Sequence, residues 1–145
     1  MTSPFESWLF WALLSAVFAA LTAIFAKIGI QDIDSDFATL IRTLVIVVVL
    51  TGIVFAMGKF QPLGSIAGKT WLFLCLSGLA TGASWLAYFR ALKLGQAAEV
   101  APIDKLSVVL VAIFGVIFLG EKLTIQSWIG VALIAIGALT LAWKL

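Results

Sequence analysis

Asp104 and Lys105 stand side by side inside the run "VAPIDKLSVVLVAIFGVIFLGE", Val100 to Glu121, where almost every other residue is apolar. A carboxyl in such surroundings can take up and release a proton, because desolvation raises its pKa and a nearby cation lowers it. Neighbouring residues on a helix point about 100° apart, so the two are not expected to neutralise one another, and each calls for its own partner or water. Lys105 has a stem long enough to snorkel to the nearer surface, or it lines a pathway; for Asp104 the alternatives are a buried structural pair and a protonation site. Ser77, Thr81, Ser84, Trp85 and Tyr88 recur at helical spacing on one face, and these hydroxyls and rings could line a cavity for a small solute. Arg42 adds a fixed positive charge that could meet an anionic or zwitterionic solute, meet Asp104, or snorkel to Asp32, Asp34 or Asp36.

Other chemistries have little to work with. The absence of histidine excludes His-based acid–base catalysis and His-based metal sites, and Cys75, the single cysteine, cannot form an internal disulfide. Asp32, Asp34 and Asp36 alternate along the chain, but without the glycine and distal glutamate of a calcium loop. They are expected to form a solvated turn in which Ser35 or Asp36 caps the next helix. Glu99 and Glu121 lie near opposite ends of one apolar run, too far apart for an acid–base pair. The expectation is a protein that is not an enzyme and has no metal or cofactor. The nine Lys and Arg residues are scattered, so no basic face suits nucleic acid.

The elements that must position these groups follow from composition. The chain has 145 residues, 63% hydrophobic and 11% charged, with a mean hydropathy of +1.21, far from the range of a soluble domain. A membrane-spanning helix takes about 20 apolar residues. Five runs of that size are expected as spans at 8–30, 37–57, 70–92, 97–119 and 125–143, within one transmembrane domain covering 1–145. The fold class is therefore an all-α integral membrane protein in contact with the lipid bilayer. The N-terminal stretch has no Lys or Arg before its long apolar run, which predicts a span rather than a cleaved signal. Ser3 or Ser7 could cap that helix, and Trp8 and Trp11 suit an interfacial belt.

At 1.5 Å per residue Asp104 lies about 10 Å past Ala97 and about 22 Å from Leu119, within the hydrocarbon. Insertion of such a charge costs about 2.5–3.5 kcal/mol near a helix centre. Pro102 withholds one intrahelical hydrogen bond and is expected to loosen the first turns of its span; a broken helix at a polar site is one way transporters expose backbone groups, although a proline early in a helix is also ordinary. Gly78 and Gly82, Gly130 and Gly137, and the stripe Ser15, Ala19, Thr22 and Ala26 suit close helix packing. An odd number of spans puts the termini on opposite sides. With Lys27, Arg42 and Arg90 set aside as residues that could lie inside the membrane, Lys59, Lys69 and Lys122 share the N-terminal side, with Lys93 and Lys144 opposite. That bias is too weak to fix an orientation, so insertion both ways is open.

The segment "SWLAYFRALKLGQAAEVAPIDKLSVVLVAIFGVIFLGEKLT", Ser84 to Thr124, with its helix end at Tyr88 to Gly95, Pro102 and the closing Leu119-Gly120-Glu121, resembles the EamA-type half of the drug/metabolite transporter superfamily. The stretch "DSDFATLIRTLVIVV", Asp34 to Val48, is similar to the short, single-repeat members. Larger members have ten helices in two inverted five-helix repeats and carry metabolites or drugs across the plasma membrane. The resemblance implies a transporter half that pairs, antiparallel, with a second copy or another five-helix half, around a central pathway. It implies a small-molecule substrate and alternating access, and leaves the roles of Asp104 and Lys105 unassigned.

Overall fold

The computed structural model describes residues 7–143. Its helices are α1 (Trp8–Gly29), α2 (Ser35–Ala56), α3 (Gly68–Leu94), α4 (Ala97–Asp104), α5 (Ser107–Leu119) and α6 (Ile125–Ala142), with one 3₁₀ turn at Leu63–Ser65 and no strand among the described residues. Five segments are long and apolar enough to cross a membrane, α4 and α5 together counting as one from Ala97 to Leu119. Each begins or ends within two residues of its expected bound. The valine- and isoleucine-rich centre of α2 would favour a strand in water. In lipid, a lone segment satisfies its backbone groups only as a helix.

Local chemistry sets the ends. Helix α2 starts two residues before the expected Phe37, and its cap is Asp34, not Ser35 or Asp36: the Asp34 carboxylate accepts from the N–H of Asp36 at 2.9 Å and of Phe37 at 3.1 Å. Asp36 falls instead in the first turn, where negative charge suits the helix dipole. Helix α5 ends on Gly120, whose φ of +68° is the left-handed conformation that glycine adopts freely. The Glu121 N–H then reaches back to the Gly115 carbonyl at 3.1 Å, satisfying a carbonyl of the last turns of α5. Thr124 caps α6 by accepting from the Ser127 N–H at 3.2 Å. Ser7 precedes α1 directly, while Ser3 and Lys144 lie outside the described residues.

Pro102 does not break its helix. Helix α4 continues through it to Asp104, and the interruption falls at Lys105 and Leu106. There the backbone tightens: the N–H of Leu106 donates to Ile103, of Val108 to Lys105 and of Val109 to Leu106, each at 3.0 Å and each three residues back. A proline removes only its own N–H bond, toward Ala98, so its direct effect stays inside α4.

The chain divides into two compact units. One is Phe25–Lys93, with Ile30, Phe89 and Leu92 almost fully buried beside Ser35, Ala38 and Thr39. The buried Thr39 hydroxyl donates to the Ser35 carbonyl one turn back at 2.8 Å, so no polar group is stranded there. The other comprises the described parts of Met1–Ile24 and Leu94–Leu145, where α6 packs on α4 and α5 around Ala138 and Gly115. Among the described residues, no atom beyond the helix's own backbone lies within 4 Å of where a Cβ would stand at Gly78, Gly82, Gly130 or Gly137, so the close approach they permit is not made between these elements. Gly115 is the exception, because a Cβ there would meet the Glu121 carboxylate oxygen at 2.6 Å.

Candidate functional site

In the Phe25–Lys93 unit, α2 and α3 meet through long side chains in opposite chain directions. Near one end the Arg90 guanidinium donates from Nε to the Asp36 carboxylate at 3.0 Å, and a second bond from Nη2 completes a fork. Lys93 donates to the Ile33 carbonyl, and Lys27 reaches the Leu92 carbonyl at 2.5 Å. The last turn of α3 leaves carbonyls without intrahelical donors, so Lys27 satisfies a group the helix itself cannot. About 9 Å further along α2 comes Arg42. Its guanidinium carbon sits 4.1 Å above the centre of the Trp85 ring and 5.4 Å from that of Phe89.

Sequence reasoning left Arg42 a choice of carboxylates, and the structure removes the Asp36 alternative by giving that carboxylate to Arg90. Among the described residues Arg42 makes no ion pair. Its charge is met by aromatic faces, a contact worth about 0.5–2 kcal/mol depending on desolvation. Arg42, Trp85 and Tyr88 are half-buried and Phe89 is buried; Tyr88 meets Phe89 edge-on, with ring centres 6.5 Å apart. The sequence does not single out Phe89, and it marks Arg90 only as a residue that could lie inside the membrane. The signal for Phe89 was its place one turn after Trp85 on α3; for Arg90 there was none, because 54 residues separate it from Asp36.

The expected hydroxyl face continues along α3 from Trp85 to Thr81 and Ser77, about 6 Å and 12 Å away along the axis. Both are uncovered within the chain. The Thr81 hydroxyl donates to the Ser77 carbonyl at 2.8 Å, which leaves its oxygen as an acceptor. The unit thus presents a cation held on rings, then acceptor and donor oxygens, along one helix face.

In the other unit, Lys105 Nζ lies 3.3 Å from Asp104 Oδ2. This corrects the expectation that the two could not pair. The 100° separation holds for a regular helix, and Lys105 sits where the helix is interrupted, with ψ of −5°. The side chains stay 36% exposed for Asp104 and 55% for Lys105, so the pair is open on one side rather than sealed in a core.

The model of the EamA-like transporter family matches residues 6–143. The chain belongs to that family. This EamA-family chain is 71% identical over 137 residues to an "uncharacterized transporter in cobO 3'region" of Sinorhizobium sp, covering 94% of the chain and 97% of that relative. It is 31% identical over 85 residues to a "probable 4-amino-4-deoxy-L-arabinose-phosphoundecaprenol flippase subunit ArnE" of Yersinia pestis (strain Pestoides F), covering 59% of the chain and 75% of the relative. The same identity and coverage hold for the protein of that name in Yersinia pseudotuberculosis serotype O:1b (strain IP 31758). No solved structure matches the chain. The chain is a multi-pass membrane protein of a transporter family, and its relatives point away from an enzymatic role.

Proposed function

We propose that the chain is one EamA-type domain, half of a secondary transporter that moves a small metabolite or drug-like solute across the cell membrane by alternating access, as an antiparallel homodimer coupled to protons. The observation that carries this reading is uncovered polarity on membrane-length helices. Only 6% of each span's apolar window is buried within the chain. Asp104 and Lys105, with Ser77 and Thr81, remain open on those spans, where lipid would be a costly neighbour. A second half that covers them removes that cost, and the vacant glycine seams offer surfaces for it. Arg42, Ser77, Thr81, Trp85 and Tyr88 are the pathway groups of one unit, and Lys105 of the other. Asp104, next to the helix interruption that follows Pro102, is the coupling carboxyl.

Asp104→Asn keeps the shape of the side chain and removes its titration. In proteoliposomes it is expected to abolish solute accumulation driven by a pH gradient while leaving reconstitution intact. Retained coupling in that variant would refute the assignment of Asp104.

A second reading is supported by the Yersinia relatives, each named as a subunit of a flippase. Here the chain is a non-transporting partner that pairs with or regulates another half. Pure protein would then show no flux until a co-purifying membrane protein is restored. A lipid-linked sugar belongs in the same assay, because those relatives are named for one.

A further inference from the structure

Of the chain's two arginines, Arg90 is forked onto Asp36. Arg42 is not ion-paired among the described residues, yet it lies about 10 Å into a membrane-spanning helix, counted from Ser35. Its geometry says what is missing. The guanidinium carbon lies 4.1 Å from the centre of the Trp85 ring and 5.4 Å from that of Phe89, and rings offer no oxygen acceptor, so the guanidinium N–H groups have still to be satisfied. Guanidinium N–H pairs are spaced to fit two oxygens of a carboxylate or phosphate. A half-buried cation held against two rings, with no ion pair among the described residues, has the form of a receptor for such a group, with less side-chain freedom to lose on binding than a free arginine.

We propose that Arg42, held against Trp85 and Phe89, is an oxyanion-binding site that takes the carboxylate or phosphate of a solute or of a lipid headgroup through its guanidinium N–H groups. This deepens the transporter reading, since it names the chemical class that the Arg42 pathway group receives. Thr81 and Ser77, further along the same face of α3, then lie toward the uncharged remainder of the ligand.

Because there are only two arginines, the test can watch both. Protein carrying arginine enriched in the NMR-active nitrogen isotope gives two Nε resonances, assigned by Arg42→Lys and Arg90→Lys. In a maltoside detergent, sodium phosphate is titrated against sodium chloride at constant ionic strength. The expected result is a saturable shift at Arg42, with Arg90 unmoved as the internal reference, and Trp85→Leu raising the half-saturating phosphate about fivefold. Nanodiscs of phosphatidylglycerol and of phosphatidylcholine form the second arm. An Arg42 shift already present in phosphatidylglycerol but not in phosphatidylcholine assigns the site to a headgroup; a shift only on adding phosphate assigns it to a soluble oxyanion. The proposal is overturned if Arg42 stays still in both arms, if both arginines move together, or if Trp85→Leu leaves the half-saturation unchanged. Since the readout is binding and not flux, failure here leaves the Asp104 coupling experiment intact, and failure there leaves this one intact.

Discussion

Two charged residues near one another in sequence, Asp34 and Asp36, do different work. The Asp34 carboxylate holds two backbone N–H groups at the start of α2, and loss of such a cap costs about 1 kcal/mol. Asp36 pairs with Arg90, but the side chains are 40% and 64% exposed, and open pairs contribute little. Asp34→Ala is therefore expected to lower the thermal unfolding midpoint in detergent more than Asp36→Asn; the reverse order would mean that the ion pair, not the cap, secures this end of α2. Which aspartate caps was not legible in the sequence, because three acceptor side chains in a row fit any start within two residues. The fate of Arg42 was half legible. Its depth in an apolar run marked it as needing a partner, while the identity of that partner depends on how α2 and α3 align, and hydrophobic periodicity carries no information on that register. The fit between Gly115 and the Glu121 carboxylate was hidden for a related reason: it needs the left-handed turn at Gly120 to fold the chain back.

At the scale of helices, the five spans were legible almost to the residue, since membrane thickness fixes their length and lipid forbids alternatives to helix. The interruption within the fourth span was anticipated at Pro102 and found at Lys105 and Leu106. The distinction has a measurable consequence. Pro102→Ala restores an N–H that can bond to the Ala98 carbonyl. It is expected to slow amide hydrogen exchange in the last turn of α4 about fivefold, the worth of one hydrogen bond near 1 kcal/mol, while exchange at Leu106 is unchanged. If protection at Leu106 rises too, the proline sets the interruption after all, and with it the pairing of Asp104 with Lys105.

On the scale of the whole molecule, few residues of the apolar spans are buried within one chain, and among the described residues no other element comes close to the glycines Gly78, Gly82, Gly130 and Gly137. Both follow if the chain is half of an assembly. Composition alone made the membrane evident, and the balanced lysines made dual insertion an open possibility; what fills the uncovered faces lies beyond any single sequence, because a partner leaves no spacing in the chain it binds. If two copies assemble in opposite orientations, the topology of the chain in cells shows it. Cys75, the single cysteine, is replaced by Cys75→Ser, and Lys59→Cys places one thiol in the loop between α2 and α3. Intact cells are treated with a membrane-impermeant maleimide, then permeabilised and treated again. Part of the protein is expected to be labelled from outside and the remainder only after permeabilisation. Labelling wholly in one step would show a single orientation and contradict the antiparallel homodimer.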